Sequence, residues 1–136
     1  MQAGWRYGVQ PHRLLTFTLG ASAALPPTAP PDMSVKAVDD PSFQINDADV
    51  QAGHALFNMI CAACHGLNLR SAGAPAPDLR ESGIALTEEG VWTVVHEGTL
   101  LSRGMPAFGM LGREQVRQIH AYIRAGAREA LETRKP

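Results

Sequence analysis

An all-α domain of three to five helices, preceded by an irregular or short β segment, is the fold class this sequence predicts. Three observations carry it. Apolar residues recur at three- and four-residue steps within residues 46–66, 86–98 and 112–132. The stretch between the first two, 68–86, is rich in Gly, Pro, Ala and Ser and reads as loop. The two cysteines of the chain both fall in one run, Cys61-Ala62-Ala63-Cys64-His65.

The elements follow in chain order. Residues 1–25 carry Arg6 and Arg13, then LLTFTLGASAAL. The run reads as a secretory signal with a cleavage site near ASA, or as a strand, because LLTFTL alternates. Its apolar core is short and broken by Thr16, Thr18 and Gly20, which favours the strand. Residues 26–45 hold Pro26, Pro27, Pro30, Pro31 and Pro41 and predict a stiff, extended linker without a core of its own. The folded domain is expected over 46–136. Its first helix takes Asp47 as N-cap, with Asp49 in the first turn where the macrodipole favours acid. Val50, Gly53, Phe57 and Ile60 form one face, and the glycine lets another helix cross closely. The second helix takes Thr87 as N-cap, Glu88 and Glu89 in its first turn, an apolar cluster of Val91, Trp92, Val94 and Val95, and Gly98 as its stop. The last helix carries Val116, Ile119, Ile123 and Ala127 on one stripe, with arginines on the other side. Tyr122 lies near the stripe, within reach of Phe57. Gly112 stands where a Ser, Thr or Asp cap is expected, a small loss.

Four chemistries compete for the cysteine run. A redox-active disulfide wants a βαβ context, which the flanks lack. A zinc site needs four ligands, and no second Cys or His pair follows at short spacing. Inert packing of the thiols leaves the adjacent imidazole without a task. C-x-x-C-H is the pattern of covalent haem attachment, and only this reading uses both thiols and the imidazole together. The thiols would form thioethers to one porphyrin, and His65 would bind the iron from beneath. A sixth ligand is then sought among Met1, Met33, Met59, Met105 and Met110. Met59 sits two residues before Cys61 on the same helix and cannot reach the other face of the ring. Met1 and Met33 fall in terminal or proline-rich sequence. Met105 stands between Gly104 and Pro106, in a loop whose proline restricts the backbone, and is the first choice. Met110, with Gly109 before it, is the second. His54 and His120 fall on helices, His96 near a helix end and His12 in the N-terminal segment, and these read as ordinary.

Taken together, these residues resemble a class I cytochrome c domain, from Asp47 to about Glu132. The resemblance runs through Gly53, Phe57, CAACHG, PDL, GMPAF and the AYI of the last helix. It implies a small fold around one haem c, with Cys61 and Cys64 holding the haem, and His65 and Met105 as iron ligands. Pro77 matches the proline whose carbonyl orients the proximal imidazole. A narrower resemblance, in GAPAPDLRESG, EGTLLSRGMPAFG and EQVRQIHAYI, is to the C-terminal haem domain of quinohaemoprotein alcohol dehydrogenases. Those enzymes hold pyrroloquinoline quinone (PQQ) in an N-terminal β-propeller. Residues 1–25 then look like the closing strand of such a propeller, and the chain like a C-terminal piece or truncated relative. This resemblance also makes Arg80 and Arg103 candidates to neutralise haem propionates.

Formal net charge is −1, with acids and bases interspersed, so nothing points to nucleic acid. No apolar run reaches membrane-spanning length. Lys36 and Lys135 are the only lysines, so a lysine docking ring is absent. Such a domain is small enough for its own core to be marginal, and a porphyrin would complete it. The expected function is electron transfer between redox partner proteins, in a bacterial periplasm. The alternatives are the electron-relay part of a PQQ-dependent alcohol dehydrogenase, or a haem protein with an open ligand site.

Overall fold

The computed structural model describes residues 5–10, 13–20 and 22–134. Met1, His12, Lys135 and part of the 1–25 segment therefore lie outside the described residues. Three principal helices form the domain, and no strand occurs among the described residues. Of the two N-terminal forms expected, the irregular one is present over the described part of 5–20.

Helix α1 spans Asp47–Leu56. Its N-cap is Asn46, not Asp47. Asn46 keeps an extended backbone and its side-chain oxygen accepts from the Ala48 N–H, while Asp47 already sits in the first turn beside Asp49. The helix does not run on regularly. Phe57–Cys61 is a π-helical turn, in which the Ala62 N–H donates to the Phe57 carbonyl, and a short helix α2, Ala62–His65, follows. One extra residue in the turn swings the helix face by about 100°. Residues before the turn thus face the helix crossing, and Cys61 and His65 are buried after it. Gly66 ends α2 at φ +82, and a Cβ there would stand 2.0 Å from the Arg70 carbonyl oxygen.

Helix α3, Glu88–Val95, is capped by the Thr87 hydroxyl, which accepts from the Gly90 N–H at 3.1 Å. Helix α4 spans Arg113–Glu132. Gly112 precedes it, and its N–H donates to the Gln115 side chain at 2.9 Å, so one half of a capping box survives without a capping side chain. Val116, Ile119, Ile123 and Ala127 are all buried.

The α1–α4 crossing fixes the fold. A Cβ on Gly53 would lie 1.9 Å from the Gln118 carbonyl oxygen, so the backbones touch there and only glycine fits. Phe57, wholly buried, meets Tyr122 with ring centroids 5.4 Å apart.

Two expectations need correction. Arg124 does not sit with the solvated arginines. It is wholly buried and donates to the Val38 and Leu79 carbonyls at 2.8 and 3.3 Å. The later part of the proline-rich segment is not a free linker either. Arg128 binds Asp39 and the Asp40 and Phe43 carbonyls, and the Phe43 ring packs on His120 at 4.6 Å. The α4 arginines supply donors that the extended backbone cannot find in a sheet.

Candidate haem site

The α2 turn, the 75–86 loop, α3 and the loop after it enclose a cavity of about 470 Å³. Cys61, Cys64, His65, Pro77, Arg103 and Met105 all border it. The rest of its wall is mostly apolar, with Ile60, Val91, Val95 and Phe108 prominent. Both thiols are free; Cys61 is buried and Cys64 exposed. Burial, aided by the neighbouring Cys64, pushes the Cys61 thiol up to about 11, so it stays protonated at neutral pH.

His65 is buried, and its Nδ1–H donates to the Pro77 carbonyl at 2.9 Å. That bond fixes the tautomer and leaves a lone pair on Nε2. Nε2 is buried and has no hydrogen-bond partner among the described residues. Burial lowers the His65 pKa, and the Pro77 bond and the Asp78 charge oppose that only in part, so the ring is neutral. A neutral imidazole with an unshared buried lone pair is the form that binds a metal.

The wall after α3 is built differently. The Met105 N–H donates to the Leu100 carbonyl at 3.2 Å, and the Phe108 N–H to the Val95 carbonyl at 2.7 Å. Gly104, at φ +90, turns the chain just before Met105. Met105 packs against the core, whereas Met59 and Met110 are largely exposed, 79% and 74%. Of the described methionines, Met105 alone borders the cavity.

The two arginine candidates separate. Arg103 borders the cavity. Arg80 does not; it grips the Asp78 carboxylate with Nε and a terminal nitrogen, at 2.9 and 2.7 Å. Burial raises the Asp78 carboxyl, but the Arg80 and Ser71 bonds outweigh it and hold it below the ordinary carboxylate range. Sequence reasoning gave no role to Tyr7, which also borders the cavity. Arg6 anchors that segment through Glu81 and through the Met33 and Ser34 carbonyls. Nothing in the local pattern around Tyr7 signals this contact. Ile60, read from the sequence as part of the apolar face of the first helix, and Phe108, given no role there, also line the cavity.

The residues fit a haem. The cavity is apolar, both thiols reach its wall, and the one orphaned nitrogen among its described residues is an imidazole lone pair. No group of three or more His, Cys, Asp or Glu among the described residues is disposed to hold a bare metal ion.

Comparison with known proteins agrees. A family model described as cytochrome c oxidase, cbb3-type, subunit III matches residues 48–123. Quinohemoprotein alcohol dehydrogenase ADH IIB of Pseudomonas putida is 41% identical over 112 residues, covering 82% of this chain and 16% of that protein. The dehydrogenase subunit of a quinone alcohol dehydrogenase of Komagataeibacter europaeus is 33% identical over 129 residues, 93% of this chain and 17% of the relative. Among solved structures, quinohemoprotein alcohol dehydrogenase ADHIIG of Pseudomonas putida matches with a TM-score of 0.60 at 31% identity, over 85% of this chain and 16% of that one. The chain thus spans about one sixth of the length of these relatives, and the similarity is to their C-terminal cytochrome c region. A helical fold, a C-x-x-C-H run bordering an apolar cavity, and a match over most of the helical region have one explanation: the chain belongs to the cytochrome c family that the cbb3-type subunit III model describes.

Proposed function

We propose that the chain is an electron-transfer module carrying one covalently bound haem c. The observation that supports it most is the buried His65 Nε2, unpartnered beside an apolar cavity that both thiols border. Cys61 and Cys64 hold the group by thioether bonds, and His65 and Met105 ligate its iron. Haem c in such a pocket supplies a one-electron ferric–ferrous couple. Pro77 holds the imidazole orientation through its carbonyl and makes the ring a stronger donor. Met105 closes the site to exogenous ligands and favours the ferrous state. The apolar wall excludes water, which also raises the potential. Arg103 lies at the cavity edge and balances propionate charge. Electrons arrive singly from a donor protein and leave to a respiratory carrier, in the periplasm, where haem is attached to such motifs. No helix among the described residues is long and apolar enough to cross a membrane.

A second reading rests on the relatives' names. The chain is the electron-relay part of a PQQ-dependent alcohol dehydrogenase, and residues 1–25 are the end of its propeller.

The test is expression of the full chain in a periplasm able to mature c-type cytochromes. The expected product is red, heavier than the chain by one haem, and low-spin in both oxidation states. A colourless but folded product overturns the proposal. Adding a PQQ-loaded propeller and an alcohol tests the second reading; haem that stays oxidised counts against it.

A further inference from the structure

Resting on the reading of His65 as an iron ligand, we infer that Asp78 and Arg124 are positioning residues that brace the Pro77 carbonyl against His65 and thereby set the potential. The 77–79 turn is held at three successive residues. The Pro77 carbonyl accepts from His65 Nδ1–H at 2.9 Å. The Asp78 side chain, 4% exposed, accepts from the Ser71 hydroxyl at 2.8 Å, from the Arg80 N–H at 3.0 Å, and from the Arg80 guanidinium at two atoms. The Leu79 carbonyl accepts from Arg124 at 3.3 Å. Arg124 is wholly buried and its other bond goes to Val38, so it ties the turn to α4 and to the docked 38–43 segment.

Asp78 also caps the Leu79–Glu81 turn, and Arg124 also anchors the Val38 carbonyl. A carboxylate and a guanidinium buried this deeply are costly unless their bonds are all used. Here the Asp78 bonds and one Arg124 bond converge on the turn that presents one carbonyl to one imidazole, while the other Arg124 bond ties that turn's anchor to Val38. A carbonyl free to swing would bond Nδ1–H more weakly, and the imidazole would donate less to the iron. The ferric state, which gains most from a strong donor, would lose more than the ferrous state.

Charge and positioning can be separated by sign. Asp78→Asn removes a negative charge and loosens the turn, and both raise the potential. Ser71→Ala removes one bond to Asp78 and no charge, so only loosening acts, and the potential again rises. Arg124→Gln removes a positive charge, which alone would lower the potential, while loosening raises it.

The experiment compares the matured full chain with Ser71→Ala, Asp78→Asn and Arg124→Gln by redox titration, and follows the His65 Nδ1 proton by NMR. Expected is a shift of the ferrous-to-ferric ratio at fixed ambient potential of about threefold toward ferrous in Ser71→Ala, which is about 30 mV at one electron. Asp78→Asn moves further the same way, Arg124→Gln does not move down, and the Nδ1 proton resonance shifts in all three. An unchanged potential and Nδ1 resonance in Ser71→Ala and Asp78→Asn, with only lower melting temperatures, overturns the inference. So does a fall in potential in Arg124→Gln. If the parent chain takes up no haem, the underlying reading fails instead.

Discussion

The two sides of the cavity hold their key residues by different means. On the His65 side, the imidazole is fixed by a side chain-to-backbone bond, and the accepting turn is clamped by Asp78, Ser71, Arg80 and Arg124. On the Met105 side, the loop hangs from backbone bonds to Leu100 and Val95 and turns at Gly104. The first side is rigid before any cofactor arrives. The second turns at Gly104 and is held mainly by main-chain bonds, with no buried ion pair behind it among the described residues. The difference teaches that the two ligand candidates depend on different kinds of support, buried side-chain bonds on one side and main-chain bonds on the other.

The largest effect should come from removing each ligand in turn. His65→Ala leaves the Pro77 carbonyl without its donor and the cavity without its lone pair. We expect no stable low-spin holo-protein. Met105→Ala should still yield attached haem, now with an open site that binds added carbon monoxide or imidazole, and with a lower potential. Spectra in both oxidation states check this. An unaltered low-spin spectrum for Met105→Ala would remove Met105 from the ligand set.

Next in size is the crossing on which both sides depend. Gly53→Ala gains helix propensity of about 1 kcal/mol, yet its Cβ meets the Gln118 carbonyl at 1.9 Å. Backbone cannot move aside as a side chain tip can. A net loss of about 2–3 kcal/mol is expected from denaturant unfolding of the holo-protein. A neutral result would mean that the helices cross elsewhere.

The contrast between the two sides also explains what the sequence made legible. The α1–α4 crossing was readable because Gly53, Phe57 and Tyr122 obey helical spacing, a local rule. The thiol and imidazole run was readable because its chemistry is contiguous. Met105 was readable by elimination and by its Gly and Pro neighbours. The brace was not, since Ser71, Asp78 and Arg124 come from three segments and meet only in the fold. Arg124 was misassigned to the solvated face because charge normally marks that face, whereas here backbone acceptors from residues 38 and 79 offset its burial. The π turn at Phe57–Cys61 leaves no pattern that a 3.6-residue period would catch.

A pH dependence of moderate size should come in part from His120 on α4, with the buried His65 acting in the same direction. His120 is wholly buried, donates Nε2–H to the Ala85 carbonyl at 3.0 Å, and its Nδ1 has no partner among the described residues. Burial lowers its pKa, and the Arg124 charge adds to that. The unfolded chain takes up a proton near pH 6.5 while the folded chain does not, so the unfolded state binds more protons below that point. This contribution to stability is therefore full above about pH 6.5 and falls as pH drops, by at most about 1.4 kcal/mol per unit. Unfolding free energies of the holo-protein between about pH 7.5 and 5.5 test this, a range above ordinary carboxylate titration. His120→Gln should flatten the slope; an equal slope in parent and variant would assign it to another group.

The smallest effects sharpen the comparison most directly, because the same substitution can be made on both sides. Pro77→Ala and Pro106→Ala each keep the backbone carbonyl and release a fixed φ. Through the unfolded state alone, each should cost about 0.4–1 kcal/mol. The potentials should differ, however. Behind Pro77 the Asp78 and Arg124 bonds remain, so the carbonyl stays on His65 and the potential barely moves. Beside Met105 no buried ion pair stands in for the lost ring, so the thioether gains freedom and the potential falls by more than in Pro77→Ala. Redox titration of both variants measures the difference. A larger shift from Pro77→Ala would reverse the assignment of the rigid side.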